Sequence, residues 1–383
     1  FLAHALIDTR EATLFVGAGK ISAQLQAALL QDGVRVVDYA DARAALAALP
    51  ASAVLLLDPK RVTLGLREGA GTAVRVVEAL NPSVLLKSRK NAAEAAHIRQ
   101  AMEQDGAAMC AFYAWFEAAM ARGERLTELT VDEMLTAERA RRPGFKGLSF
   151  NTIAGFNANG AMPHYRATPE SHAVIAGDGL LLIDSGGQYL GGTTDITRVW
   201  PIGTPSAAQK RDYTLVLKGT IGLSRAHFPQ GTLSPMLDAL ARAPLWAAGC
   251  DYGHGTGHGV GYFLNVHEGP QSISKTIADA NMAMQPGMIT SIEPGLYRPG
   301  QWGVRIENLV LNVAAPSTEP FGEFLAFETL TLCPIDTRCI DPTLLRPDEV
   351  QWLNAYHASV RERLQPLVDG AARDWLIERT QPI

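Results

Sequence analysis

Residues 149–332 constrain this chain most. Glycines and strand-like runs recur there, and aspartate, glutamate and histidine stand at strand ends or beside glycine. Leu180-Leu181-Leu182-Ile183 is a strand-sized apolar run that ends at Asp184. Turn glycines follow in Ser185-Gly186-Gly187-Gln188-Tyr189-Leu190-Gly191-Gly192, and an extended pattern resumes in Thr193-Thr194-Asp195-Ile196-Thr197. Strands joined through such a turn bring two carboxylates to one face. Carboxylates held that close repel, so one keeps its proton or a cation lies between them. Taken singly, each aspartate reads more simply as a turn cap or an exposed acid.

Downstream stands Tyr252-Gly253-His254-Gly255-Thr256-Gly257-His258-Gly259-Val260-Gly261, with His267 before Glu268-Gly269-Pro270. Two histidines four apart would share a helix face, but the interleaved glycines make a helix improbable. The segment reads as a tight loop whose backbone approaches something closely and presents imidazoles at fixed points. Met288-Ile289-Thr290-Ser291-Ile292 reads as a strand ending in Glu293-Pro294-Gly295, and the residue before proline is held extended. In Gly303-Val304-Arg305-Ile306-Glu307-Asn308-Leu309-Val310-Leu311, strand alternation places Arg305 and Glu307 on one face. That pair alone reads as a salt bridge. Together, four carboxylates and one imidazole suit borderline-hard divalent ions, Mn²⁺, Co²⁺ or Zn²⁺, and suit two better than one.

The rest of the chain sets the frame. Its 383 residues lead us to expect two domains, and 47% hydrophobic with 19% charged residues excludes a disordered tail or a coiled coil. The 34 basic and 39 acidic residues give a formal charge of -5, which argues against a nucleic-acid binder. Four scattered cysteines suit neither a disulfide framework nor a CxxC metal site, and a cytoplasmic setting is expected. The apolar runs are strand-sized, so no membrane span is expected. The chain opens on Phe1-Leu2-Ala3-His4, without a leader pattern or initiator Met, so an N-terminal portion is expected to be missing.

Before residue 87 the pattern predicts strands at 13–16, 34–39 and 54–57, with helices at 22–30 and at 41–49, the latter capped by Asp41. That alternation implies a small α/β domain with a largely parallel sheet. Val16-Gly17-Ala18-Gly19-Lys20 lacks the spacing of a phosphate loop and reads as a plain turn. The polar stretch 87–91 reads as a domain junction, followed by helices over 92–120 and 126–139, the second with Thr130 as cap and Glu133 completing a capping box. Two amphipathic helices are expected at 348–364 and 370–379, with Trp352, Leu353, Tyr356 and Val360 on a docking face.

The quoted strings, together with Arg305-Ile306-Glu307-Asn308, resemble the pita-bread metallopeptidases, and within them the Xaa-Pro aminopeptidases of the larger, cytosolic type. The resemblance runs from about residue 91 to the end. It implies a creatinase/prolidase-type α/β domain over 1–86, a pita-bread catalytic domain over 91–332 and a C-terminal helical extension over 333–383. It also implies two divalent metals, Mn²⁺ first, with Asp195 and Glu307 bridging. Asp184 would complete one site, and His258 with Glu293 the other. A hydroxide between the metals would attack the peptide carbonyl, and Glu293 would also handle the proton. His254 and His267 match histidines that meet the scissile carbonyl and the proline-side residue. His164, in Met162-Pro163-His164-Tyr165, matches a substrate-contacting histidine, and Arg305 a substrate-side arginine. The partners implied are peptides with proline second, neither nucleic acid nor membrane, and a second copy in a homodimer. The competing expectations are a prolidase, which cleaves only dipeptides, and a catalytically inactive pita-bread binding module.

Overall fold

The computed structural model describes residues 2–383, which form two compact units divided between Val84 and Leu85. In the first, Ala12–Val16 pairs antiparallel with Ala3–Ile7 and parallel with Val34–Asp38, and Val54–Leu57 pairs parallel with Arg75–Glu78. Helices Ala23–Gln31, Ala42–Ala47 and Leu64–Gly69 alternate with these strands, as an α/β pattern requires. Ser22 caps the first helix by accepting from the Leu25 amide at 3.1 Å. The stretch 17–20 is a strand-to-helix turn closed by Lys20 N–H on the Gly17 carbonyl. Several details differ from expectation, among them the strand Arg75–Glu78, the helix Leu64–Gly69 and the division into two sheets. The Ala3–Ile7 strand was not anticipated, and it makes the sheet mixed. Asp41 makes no side-chain cap, because a short 3₁₀ turn capped by Asp38 precedes the helix.

The second unit is built around the helix Ala92–Ala121, started by a reciprocal capping box between Asn91 and Glu94. Its residues Phe112, Tyr113 and Phe116 share one apolar core with Leu180 to Ile183, Trp200, Val304 and Leu353. Strand Gly179–Ser185 is central, antiparallel to both Ile153–Phe156 and Ile196–Ile202. Every residue of Gly179–Ser185 and of Ile196–Ile202 is buried, so both faces are covered, with Thr197 and Arg198 among the buried residues. A four-stranded sheet runs in the order His227–Pro229, Phe324–Thr329, Asn308–Ala315, Ile289–Ile292, and Gly295–Arg298 forms a ribbon with Trp302–Arg305.

The expected continuous strand over 303–311 is broken at Ile306-Glu307. The segment before the break pairs with Gly295–Arg298, and the segment after it pairs with Ile289–Ile292. Glu293 and Glu307 thus lie opposite each other where both chains pass from sheet to ribbon. The helix Glu128–Ala140 is capped by Thr127, and Thr130 is its third residue, so the anticipated cap was one turn late. Helices Pro347–Leu364 and Gly370–Arg379 occupy the expected places. Their apolar residues Leu353, Val360, Leu364, Trp375 and Leu376 are buried in the unit's own core, which removes that face as the basis for a homodimer. Among the described residues no helix is long and apolar enough to cross a membrane.

Candidate active site

All nine residues singled out from the sequence line one cavity of about 330 Å³: His164, Asp184, Asp195, His254, His258, His267, Glu293, Arg305 and Glu307. Asp184 is the last but one residue of the central strand, directly opposite Thr197 of Ile196–Ile202, and Asp195 immediately precedes that second strand. Ligand atoms of Asp195, His258 and Glu307 all lie within 4.8 Å of one another. His258 Nε2 is 3.4 Å from Asp195 Oδ2 and 3.5 Å from Glu293 Oε1. Its other nitrogen, Nδ1, lies 3.0 Å from the Gly259 carbonyl, an acceptor, which places the proton on Nδ1 and leaves the Nε2 lone pair free.

The glycines here serve close backbone approaches. A side chain at Gly257 would strike the Ser291 carbonyl, and one at Gly259 would strike that of Glu268. The loop is pressed onto the Ile289–Ile292 strand, and this seats His258 beside Glu293. Ser291 ties the pair together: its hydroxyl accepts from the His258 amide at 2.9 Å and donates to Glu293 Oε1 at 3.2 Å.

Three further residues organise the cluster, and nothing in the local sequence pattern marks them for this role. Thr197 donates to Glu307 Oε2 at 2.8 Å and accepts from Arg305 Nε at 3.1 Å. Arg198, fully buried, donates to the carbonyls of Glu307, Cys333 and Pro334 and to Asn308 Oδ1. Tyr297 accepts from Arg305 at 2.7 Å and lies 2.8 Å from His254 Nε2. The only available cue was alternation, since Tyr297 follows Glu293 at an even spacing along an extended run. Arg305 also donates to Asp184 Oδ2 at 2.6 Å, so one guanidinium reaches a carboxylate, Thr197 and Tyr297 together.

The electrostatics match a site built for cations. Burial, reinforced by neighbouring carboxylates, pushes Asp195 and Glu307 well above the usual carboxylate range. Burial also raises Glu293, against the pull of His258 and Arg305. Four carboxylates cannot all ionise here without added positive charge. Asp184 Oδ1 is buried with no hydrogen-bond partner, an orphaned acceptor aligned with this need. The donor set, oxygen-rich with one free imidazole nitrogen, therefore fits divalent metal ions. Burial holds His254 down at about 4, so its ring is neutral, with Nδ1 directed at the Gly255 carbonyl at 2.8 Å. His267 is also lowered by burial, and its ring stands edge-on to His258 at 4.2 Å between centroids.

Comparison with known proteins agrees with this geometry. Residues 96–313 match the model for metallopeptidase family M24, 323–383 its C-terminal region, and 1–94 the creatinase/prolidase N-terminal domain. The chain is 40% identical over 403 residues to a probable Xaa-Pro aminopeptidase P of Coprinopsis cinerea, covering all of this chain and 64% of the relative. It is 39% identical over 414 residues to aminopeptidase P2 of Arabidopsis thaliana, again over the whole chain and 58% of the relative. Among solved structures, X-prolyl aminopeptidase of Caenorhabditis elegans, described as a cytosolic enzyme with a di-nuclear active site, superposes with a TM-score of 0.93 at 32% identity. That match covers 100% of this chain and 63% of the other. A prolidase of Pyrococcus furiosus gives a TM-score of 0.65 at 25% identity, covering 86% of this chain and 89% of the prolidase. The chain thus spans roughly three fifths of the length of its aminopeptidase relatives, and its fold is the pita-bread fold with an N-terminal domain and a C-terminal region.

Proposed function

The chain belongs to metallopeptidase family M24, and from that premise we propose that it is a metal-dependent aminopeptidase cleaving the N-terminal Xaa-Pro bond of peptides. The observation that carries this reading is the convergence of Asp195, His258 and Glu307 within 4.8 Å, with Asp184 and Glu293 in the same cavity. Asp195 and Glu307 would be shared between two divalent ions, Asp184 would complete one site, and His258 Nε2 with Glu293 the other. Mn²⁺ is the first choice, with Co²⁺ or Zn²⁺ compatible with the same donors. When bound, the metal pair supplies hydroxide near neutral pH and polarises the substrate carbonyl.

The chain's own residues do the rest. Glu293, seated in the cavity beside His258, would take a proton from the attacking water and return it to the departing proline nitrogen. His254, neutral and backed by Tyr297, lines the cavity where the scissile carbonyl would lie, so it is suited to a hydrogen bond rather than to a charge. His267 and His164 form the wall expected to meet the proline-side residue. Arg305 holds Asp184 and Tyr297 in register across the cavity. Identity with the aminopeptidase relatives exceeds that with the prolidase, which supports substrates longer than dipeptides. A cytoplasmic location accords with four free cysteines and with the description of the Caenorhabditis relative.

The test is hydrolysis of Arg-Pro-Pro against Arg-Pro, with and without Mn²⁺, in the unaltered protein and in Glu293→Ala. Metal-dependent release of arginine from the tripeptide, abolished by the substitution, is the expected result. Cleavage of the dipeptide alone reassigns the protein as a prolidase. Metal binding without cleavage of either peptide rejects the reading.

A further inference from the structure

Lys90 is 6% exposed, and among the described residues no carboxylate makes an ion pair with it, although Glu268 and Glu94 lie near enough to favour its charge. A buried ammonium without an anionic partner is costly and calls for a reason. Its Nζ donates to the Val260 carbonyl at 2.5 Å and to Ser88 at 3.3 Å. Three residues earlier, Lys87 donates to Glu268 Oε2 at 2.8 Å. The Glu268 side chain is only 5% exposed, whereas that of Lys87 is 46% exposed. Two lysines from one short segment therefore grip the two ends of a single loop, 260–268.

That loop carries His267, and its interior is conformationally demanding. Leu264 and Asn265 both hold left-handed backbones, with φ of 65° and 54°, a conformation that persists only where surrounding structure enforces it. Backbone bonds also restrain it, Val260 N–H on Ile289 at 3.1 Å, Gly261 N–H on Asn265 at 3.0 Å and Glu268 N–H on Gly259 at 2.7 Å, and few side chains add to these. Leu264 N–H reaches Gln188 at 3.0 Å, Tyr262 meets His97 at 2.9 Å, and Asn265 Nδ2 reaches Glu268 Oε2 at 3.3 Å. The Glu268 carboxylate is thus both the terminal anchor and the inner hub. Burial lowers Lys90 to about 8, in keeping with a lysine retained for its place rather than for exposed charge.

We propose that Lys87 and Lys90 are positioning residues that clamp loop 260–268 and so fix His267 against the proline side of the substrate. This rests on the function proposed above. Neither lysine reaches the reacting atoms. Lys87 holds the loop through Glu268, one residue past His267, and Lys90 through Val260, two residues past His258.

The test pairs amide hydrogen exchange with kinetics in Lys87→Met, Lys90→Met, Glu268→Gln, Lys87→Arg and the Lys87→Met/Glu268→Gln double variant. In Lys87→Met, exchange at 261–267 is expected to quicken about tenfold while the central strands keep their protection. KM for Arg-Pro-Pro should rise about fivefold with kcat within about twofold, the signature of lost substrate placement rather than lost chemistry. Lys87→Arg should restore KM, Lys90→Met should quicken exchange at the start of the loop, and the double variant should be no worse than either single one. Unchanged exchange at 261–267 overturns the clamp, and faster exchange with unchanged KM overturns its role in placing substrate. If the unaltered protein cleaves no Xaa-Pro peptide, the proposed function falls together with the substrate half of this proposal. The exchange arm still decides the clamp in that case.

Discussion

The floor and the rim of the cavity are built in opposite ways. The floor, which carries Asp184, Asp195, Glu293 and Glu307 and receives His258 from the short strand Gly257–His258, rests on buried antiparallel strands and a dense polar scaffold. Arg198 alone donates to Glu307, Cys333, Pro334 and Asn308, and Thr197 links Glu307 to Arg305. The rim, 252–256 and 259–268, has little regular structure; besides a few backbone bonds, such as Val260 N–H on Ile289 and Glu268 N–H on Gly259, it is held by Arg242 on the carbonyls of Tyr252 and His254, Lys90 on Val260, and Lys87 on Glu268. The difference teaches where each task sits. Groups that must stay close despite mutual repulsion need an overdetermined frame. Groups proposed to meet a variable peptide can be hung on fewer anchors.

If the floor is overdetermined, breaking its scaffold should cost the fold itself. Arg198→Met keeps the aliphatic length but strands several buried acceptors at about 1–3 kcal/mol each. We expect at least about 3 kcal/mol lost in urea unfolding. A loss indistinguishable from that of an exposed arginine would erase the contrast with the rim.

Acid tests the same support from the side of the helix Pro347–Leu364. His357 is fully buried, with Nε2 accepting from the Ile335 amide at 3.1 Å, and burial holds it at about 4. Its folded value lies below the unfolded value of about 6.5. The stability it contributes is therefore complete above about pH 6.5 and is lost as pH falls toward 4. His357→Gln can keep an acceptor but cannot protonate. Relative to that variant, the unaltered protein should lose up to about 3 kcal/mol across this window in equilibrium unfolding. Parallel pH curves for the two proteins would refute this.

Thr197→Val gives the smallest effect on the fold and the sharpest on the site. Removing one hydroxyl frees Glu307 Oε2 and Arg305 Nε without opening the core. Metal affinity should weaken about 10–100-fold, as for other supports of metal ligands. Titration calorimetry with Mn²⁺ measures it directly, and unchanged affinity would show that the floor does not depend on this link.

Much of the floor was legible because its residues end strands or adjoin glycine and proline, signals carried within a few positions. Asp184, Asp195, His258, Glu293 and Glu307 were each marked in this way. What holds them was not legible. Tyr297, Thr197 and Arg198 act through partners across sheets, some more than a hundred positions away in the chain, and local pattern says nothing about such pairings. The strand break at Ile306 was hidden because both halves keep the alternation of one strand. Lys87 and Lys90 looked like a solvated junction, since basic residues between two patterned regions read as linker. Only the fold shows that one of them is buried. Thr127 lost its reading as a cap to Thr130 because both precede apolar helical spacing and differ by one turn.

Binding of two divalent ions by Asp184, Asp195, His258, Glu293 and Glu307 is the proposal at the base of this reading. It is tested most directly by metal content after equilibration with Mn²⁺ and removal of free ion, in the unaltered protein and in Glu307→Ala. Two ions per chain, falling to one or none in the variant while its circular dichroism is retained, is the predicted result. A protein that retains no metal, or a variant that binds as many ions as the parent, would contradict the account.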